Sequence, residues 1–210
     1  PRPLVTTPPT TMTEPAPGVL MVALNRPQAL NALSTQLMTD LRDFFAGTYV
    51  DTGTTRCLVL TGAGDRAFCA GADLKERNGM TDDTWRRQHA ILEQGVRAML
   101  DCPLPIIAAV NGAAFAGGCE FALACDFIYA SKTARFAQTE VSLGIIPGAM
   151  GTQNLPRAIG LRRAKEAILT GTPFSAEEAH QWGLVNRLFE DSPAVKSGAV
   201  ETAKRIASNA

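Results

Sequence analysis

The sequence predicts an α/β fold with an irregular strand order, and three observations carry that reading. Short apolar runs of strand length recur between longer segments with helical periodicity. One of these runs, Ile106-Ile107-Ala108-Ala109-Val110, is too continuously apolar for a half-exposed strand and reads as a central one. Several neighbouring strand runs are separated only by a turn, so a regular doubly wound order is not implied.

Residues 1–18 hold six of the thirteen prolines among threonines and read as an extended or disordered leader. The core is assigned to residues 19–190, and residues 191–210 to the start of a C-terminal helical region. Residues 19–24 form an apolar run leaving into Asn25-Arg26-Pro27, a buried strand followed by a turn. Ser34 is placed as the N-cap of a helix whose inward face carries Leu37, Met38, Leu41, Phe44 and Phe45. Residues 57–60 give a second strand. Over residues 83–101 the spacing of Trp85, Leu92, Val96 and Met99 predicts the clearest helix, ended by Pro103 and Pro105. The central strand at 106–110 then leads to a helix near 118–124. Two short strands come next, at 126–130 and 134–138. Helices are predicted at 151–159, 161–169, 175–182 and 193–206, with a strand at 184–188, and Ser192-Pro193 as the N-cap and N1 pair of the last helix. That helix runs to Ala210 without a glycine cap, which suggests a natural protein that continues.

With 210 residues, 46% of them hydrophobic, the chain can bury one sizeable core. Twenty basic residues balance twenty acidic ones, so no overall field draws the protein to nucleic acid or an anionic membrane. Residues 1–18 lack a basic stretch followed by an apolar one, so no signal peptide is read there, and no apolar run is long enough to span a bilayer. Five cysteines without a CxxC pair suit a reducing compartment, the cytoplasm or an organelle matrix. His89 and His180 lie far apart without ligand spacing, and no metal site is expected.

Two segments rich in small residues stand out, Phe68-Cys69-Ala70-Gly71-Ala72-Asp73-Leu74 and Ala113-Ala114-Phe115-Ala116-Gly117-Gly118-Cys119-Glu120. Small side chains leave peptide N–H groups uncovered, and a pair of such donors aimed at one developing negative charge is a recognised catalytic device. Either segment alone is explained as well by close packing of strands and helices. Glu120 lies three residues beyond Gly117, about one helical turn, so its carboxylate projects from the side of the Gly117 amide; a first-turn glutamate favoured by the helix dipole is the plainer explanation. Glu140 alone reads as a solvated strand-end residue. The Pro147-Gly148 pair alone reads as a turn.

The ordered motifs resemble the enoyl-CoA hydratase/isomerase family, the crotonase superfamily. They are Asn25-Arg26-Pro27 with Leu30-Asn31-Ala32-Leu33, the 70–74 run, Val110-Asn111-Gly112, Gly117-Gly118-Cys119-Glu120, Cys125-Asp126 and Gly144-Ile145-Ile146-Pro147-Gly148. The resemblance covers about residues 19–207. It implies a crotonase-like spiral of ββα units, assembled as homotrimers or homohexamers, that binds acyl-CoA thioesters. It carries the oxyanion donors to the N–H groups of Ala72 and Gly117, the catalytic carboxylates to Glu120 and Glu140, and a water-holding N–H to Gly148. Contacts to the coenzyme A handle map onto Ala29, Leu30, Ala70, Asp73 and Leu74, partly through backbone groups, with coenzyme A as part of the substrate and no separate cofactor. Both glutamates together resemble the hydratase branch, which adds water across the α,β double bond. Two departures stand against the family pattern: Ala116-Gly117-Gly118 where three glycines are common, and the absence here of the family's further C-terminal helices.

The acyl group is expected against residues 80–92, with Trp85 and His89 on the apolar stripe of the helix, and His89 a hydrogen-bonded core residue. The run Leu74-Lys75-Glu76-Arg77-Asn78-Gly79-Met80 resembles that of methylglutaconyl-CoA hydratases, whose substrates carry a second carboxylate that Arg77 can pair with; the residues alone read Arg77 as a solvated loop arginine. Rival readings are an isomerase of the same family, needing one carboxylate, a non-catalytic scaffold, and an RNA-binding homologue. Residues 40–56 disfavour the last, with two arginines against three aspartates.

Overall fold

The computed structural model describes residues 8–209. It opens with β1 (Thr10–Ala16), antiparallel to β2 (Val19–Leu24). Part of the expected leader is therefore an edge strand; its first seven residues lie outside the described residues. Helix α1 (Thr35–Val50) comes next, with Ser34 Oγ accepting from the Leu37 N–H as predicted.

Three repeats of the same plan build the centre. The first runs β3 (Cys57–Gly62), β4 (Ala67–Cys69), α2 (Leu74–Arg77) and α3 (Asp82–Leu100). The second runs β5 (Ile106–Val110), β6 (Ala113–Phe115) and α4 (Gly117–Ala124). The third runs β7 (Phe127–Ser131), β8 (Arg135–Ala137), a 3₁₀ turn Glu140–Leu143 and α5 (Gly151–Ile159). After it come α6 (Leu161–Thr170), β9 (Phe174–Ser175), α7 (Ala176–Gln181), β10 (Arg187–Phe189) and α8 (Ser192–Ala207). The N-cap of α8 is Asp191, whose carboxylate accepts from the Ala194 N–H, one residue earlier than expected; an ionised carboxylate also complements the helix dipole, which a serine hydroxyl does not.

Each repeat gives its first strand to one sheet and its second to another. The six-stranded sheet has the order β1-β2-β3-β5-β7-β10, parallel throughout except at β1; the four-stranded sheet has the order β4-β6-β8-β9. Strands β4, β6 and β8 are parallel neighbours, so their C-terminal ends lie side by side. The segments that leave these three ends, residues 70–73, 116–117 and 138–140, therefore meet at one edge of the sheet.

The main core packs α1, α3, α4 and α5 against these strands, with Phe45, Phe68, Phe121 and Phe136 fully buried. A second cluster lies on the other face of the large sheet, where Val195, Ala199 and Ala203 of α8 cover Val59, Ile107 and Tyr129. Burial on both faces explains the unbroken apolar run of β5. Helix α4 lies so close to β4 that a Cβ on Gly118 would fall onto the Cys69 carbonyl oxygen. That approach fixes the start of α4 against the loop after β4. No helix among the described residues is long and apolar enough to cross a membrane.

Candidate active site

A cavity of about 720 Å³ opens at the sheet edge where β4, β6 and β8 end, a size suited to a small-molecule site. Ala72, Gly117, Glu120, Glu140 and Gly148 all line it. The three-repeat topology thus joins residues separated by up to 76 positions (148 − 72) in the sequence.

Backbone pairing decides which way Ala72 points. Leu33 and Ala72 form a parallel bridge in which the Leu33 N–H donates to Gly71 O at 2.8 Å and Leu33 O accepts from the Asp73 N–H at 3.1 Å. In such a bridge the bonds flank Ala72, whose own N–H faces the opposite side and has no partner among the described residues. Gly117 is the first residue of α4, so its N–H is one of the orphan donors of a helix start and is likewise unpartnered. Gly71 lets the two donor segments approach each other closely. Its φ is +91°, and a Cβ there would meet Ala116 Cβ and Phe115 O at 3.0 Å and Gly117 N at 3.4 Å.

The two glutamates are held differently. Glu120 is 3% exposed, and its Oε1 accepts from both the Ala149 and Gly151 N–H groups at 2.8 Å. Burial pushes its carboxyl up, and the bonds from Gly151 and Ala149 oppose that push without cancelling it. Glu140 is 6% exposed at the start of the 3₁₀ turn. Burial pushes it up to about 7; its own backbone N–H opposes this, and the charge of Glu120 adds to it. The Gln138 carboxamide, oriented so that both of its ends are satisfied, donates to Glu140 Oε1 and Oε2 at 3.1 Å. The Gly148 N–H has no partner among the described residues.

The residues expected at the coenzyme A handle divide into two groups. Ala70 and Leu74 line the cavity, whereas Ala29, Leu30 and Asp73 do not. Leu30 O accepts from the Ala70 N–H at 3.1 Å, so the 29–30 turn braces the first donor loop. The Asp73 carboxylate is consumed inside the protein: it caps α2 through the Lys75 and Glu76 N–H groups and pairs with Arg26 at 2.7 Å. Burial pushes its carboxyl up, but the hydrogen bond from Arg26 and the bonds from Glu76 and Lys75 outweigh it and leave the group below its usual range.

Another part of the cavity wall comes from α3. His89 is not a core residue: it lines the cavity, half-buried, stacked on Trp85 at 4.9 Å with Glu93 Oε1 3.5 Å from its Nε2. Trp85 is 40% exposed and lines the cavity with Leu92, both within the 80–92 segment expected to face the acyl group. Arg77 also lines the cavity and is not a solvated loop residue. Its Nε donates to Gln88 Oε1 at 2.8 Å, and buried Gln88 in turn donates to Thr35 Oγ1 at 2.8 Å. No carboxylate among the described residues comes within ion-pair distance of Arg77.

Three N–H groups unpartnered among the described residues and two carboxylates thus border one cavity. The family model for enoyl-CoA hydratase/isomerase matches residues 14–210. The chain belongs to the enoyl-CoA hydratase/isomerase family. It is 42% identical over 192 residues to a short-chain-enoyl-CoA hydratase of Clostridium acetobutylicum, covering 91% of this chain and 73% of that one. It is 42% identical over 189 residues to a mitochondrial enoyl-CoA hydratase of Pongo abelii, covering 90% of this chain and 63% of that one. A crystal structure of an enoyl-CoA hydratase from Bacillus anthracis superposes with a TM-score of 0.92 at 43% identity, covering 96% of this chain and 77% of that one. The chain spans 63–64% of the length of some curated relatives it matches. The spiral of ββα units expected from the sequence is the fold of this chain.

Sequence reasoning did not find the Gln138 carboxamide on Glu140 or the N–H groups of Ala149 and Gly151 on Glu120, and it brought Arg77 to the substrate only through the resemblance to methylglutaconyl-CoA hydratases. Gln138 carried a usable signal, being a polar residue directly after Phe136-Ala137 and two positions before Glu140.

Proposed function

We propose that this chain hydrates α,β-unsaturated acyl-CoA thioesters. One observation supports this above the rest: two free N–H donors and two unlike carboxylates share a cavity at the ends of three adjacent parallel strands. The thioester oxygen sits between the Ala72 and Gly117 N–H groups, where the start of α4 adds a partial positive charge. Glu120 and the Gly148 N–H hold the water. Glu120 takes a proton from it as its oxygen bonds to the β-carbon; the π electrons move to the thioester oxygen as an enolate. Glu140 then gives its proton to the α-carbon, and the enolate electrons form the new C–H bond. The two acids exchange a proton through solvent and the site is restored. Coenzyme A serves as the substrate handle, with no cofactor and no metal in the scheme. The family reading extends to a homotrimer or homohexamer working in the cytoplasm or an organelle matrix.

Loss of conjugation can be followed by absorbance with crotonyl-CoA. Glu120→Gln and Glu140→Gln are each expected to lower kcat by about 10²–10⁴-fold, with acyl-CoA binding kept. Retained turnover in Glu140→Gln rejects the scheme and leaves a single-carboxylate isomerase.

A second reading of the substrate is favoured by Arg77, a half-buried cation on the cavity wall without an ion-pair partner among the described residues. Burial pulls its proton affinity below the usual arginine value, with Glu76 partly offsetting this. An acyl chain ending in a carboxylate, as in methylglutaconyl-CoA, supplies the missing charge. Arg77→Gln is expected to cost about 10–100-fold in kcat/KM with glutaconyl-CoA and under about threefold with crotonyl-CoA. Equal losses on both substrates rule this reading out.

A further inference from the structure

Met150 holds a left-handed backbone, φ +74° and ψ +7°, at the N-cap of α5. That conformation costs a residue with a Cβ about 1–2 kcal/mol, and glycine is the usual occupant. The side chain offsets little of this, being 39% exposed and absent from the cavity wall. The compensation lies in the backbone on either side. The N–H groups of Ala149 and Gly151 converge on one atom, Glu120 Oε1, each at 2.8 Å. A left-handed residue between two donors is the geometry that turns alternate N–H groups into one anion-binding hollow. The Met150 carbonyl meanwhile accepts from the N–H groups of Gln153 and Asn154, so the first turn of α5 locks the hollow in place.

We propose that Met150 is a positioning residue: its left-handed backbone holds the Ala149 and Gly151 N–H groups on one oxygen of Glu120 and leaves the other oxygen aimed at the reacting water. This rests on the hydratase reading and adds what divides the labour between the two acids. The hollow stabilises the ionised form of Glu120, which the water-activating role requires. Glu140 receives no such pair of donors and keeps the proton it must deliver. The groups facing Glu120 are Glu140 from the turn after β8 and Cys119 on its own helix, with Arg77 on α2 and His89 and Glu93 on α3 bordering the same cavity.

The test compares Met150→Val with Met150→Gly. Valine is β-branched and excluded from the left-handed region, whereas glycine adopts it freely. Met150→Val is expected to lower kcat for crotonyl-CoA about 30-fold with acetyl-CoA binding and thermal melting cooperativity retained, and to move the acidic limb of the rate profile about one pH unit upward. Met150→Gly is expected to rescue both the rate and the limb. An isotope-edited NMR titration of the Glu120 carboxyl reads the hollow whether or not crotonyl-CoA turns over: proton affinity rises about tenfold in Met150→Val and stays at the native value in Met150→Gly. Absence of turnover in the native protein with this titration pattern intact refutes the hydratase reading and keeps the positioning role. An unshifted titration in a folded Met150→Val overturns the proposal, as does equal loss of rate in both variants, which assigns the effect to the methionine side chain.

Discussion

Glu120 and Glu140 face one cavity from supports of opposite character. Glu120 stands on a frame of enforced geometry: Ala116 before it has φ +49° and ψ −124°, and Met150 beside its carboxylate is left-handed. Both are non-glycine residues in conformations that glycine favours. The Glu120 N–H donates to Ala116 O at 3.1 Å, so strain enters the same turn that carries the carboxylate. Glu140 stands on a 3₁₀ turn that ends at Leu143 and runs into Ile145 and Ile146, residues 55%, 49% and 75% exposed. Its carboxylate meets a side-chain amide, Gln138, in place of two backbone donors. Similar burial thus yields unlike acids. Oriented N–H groups favour charge at one site, while their scarcity at the other leaves desolvation to decide.

The stronger way to break this contrast is to remove the proton linkage of Glu140. Its folded carboxyl is raised from 4.5 to about 7, so the native state holds a proton that the unfolded chain has released. For a raised group the stability contribution is complete below the unfolded value and is lost as pH rises through the folded one. The window therefore runs from about 4.5 to about 7. Above it the protein carries a buried charge that Glu140→Gln lacks. Glu140→Gln is expected to be more stable than the native protein at pH 8 by on the order of 2 kcal/mol and no more stable at pH 4.5. Urea unfolding at both pH values measures this. A pH-independent difference shows that Glu140 titrates normally and removes the distinction between the acids. In the proposed scheme the same proton reaches the α-carbon, so kcat/KM is expected to fall on the alkaline side as Glu140 ionises near pH 7.

The fold was legible where the pattern was continuous. The runs at 19–24 and 106–110 and the helix around Leu92, Val96 and Met99 became β2, β5 and α3 because each buries a long regular face. Three-residue strands β4 and β6 were not read, since Ala67–Cys69 and Ala113–Phe115 take their extended form from pairing with one another across the spiral. Within the site, Ala72, Gly117, Glu120, Glu140 and Gly148 came from family resemblance and share the cavity. The Gln138 carboxamide and the Ala149 and Gly151 N–H groups, which hold the two carboxylates, did not come from it. The residues alone read Arg77 as a solvated arginine and only the subfamily resemblance turned it toward the substrate, since its bond to Gln88 spans 11 residues across two helices. Nothing in Ala149-Met150-Gly151 announces a left-handed methionine, because that conformation is tied to the carboxylate of Glu120, 30 residues earlier in the chain (150 − 120).

A smaller effect sharpens the comparison from the Glu120 side. Ala116 occupies a backbone region that penalises its methyl group, and the cost of such a residue is about 1–3 kcal/mol. Glycine removes that cost but adds about 0.4–1 kcal/mol of unfolded-chain entropy. The net expectation for Ala116→Gly is a gain of about 0.5–1 kcal/mol in stability with little change in kcat, because the Gly117 donor stays in place. Thermal unfolding and crotonyl-CoA turnover on the same preparation read both quantities. A gain in stability with a large drop in kcat has a different meaning: the strained alanine is then part of what aims the Gly117 N–H, and rigidity at this turn is kept at the expense of stability. A loss of stability assigns the methyl a packing role against Gly71 that outweighs its strain, since a Cβ on Gly71 would already stand 3.0 Å from it.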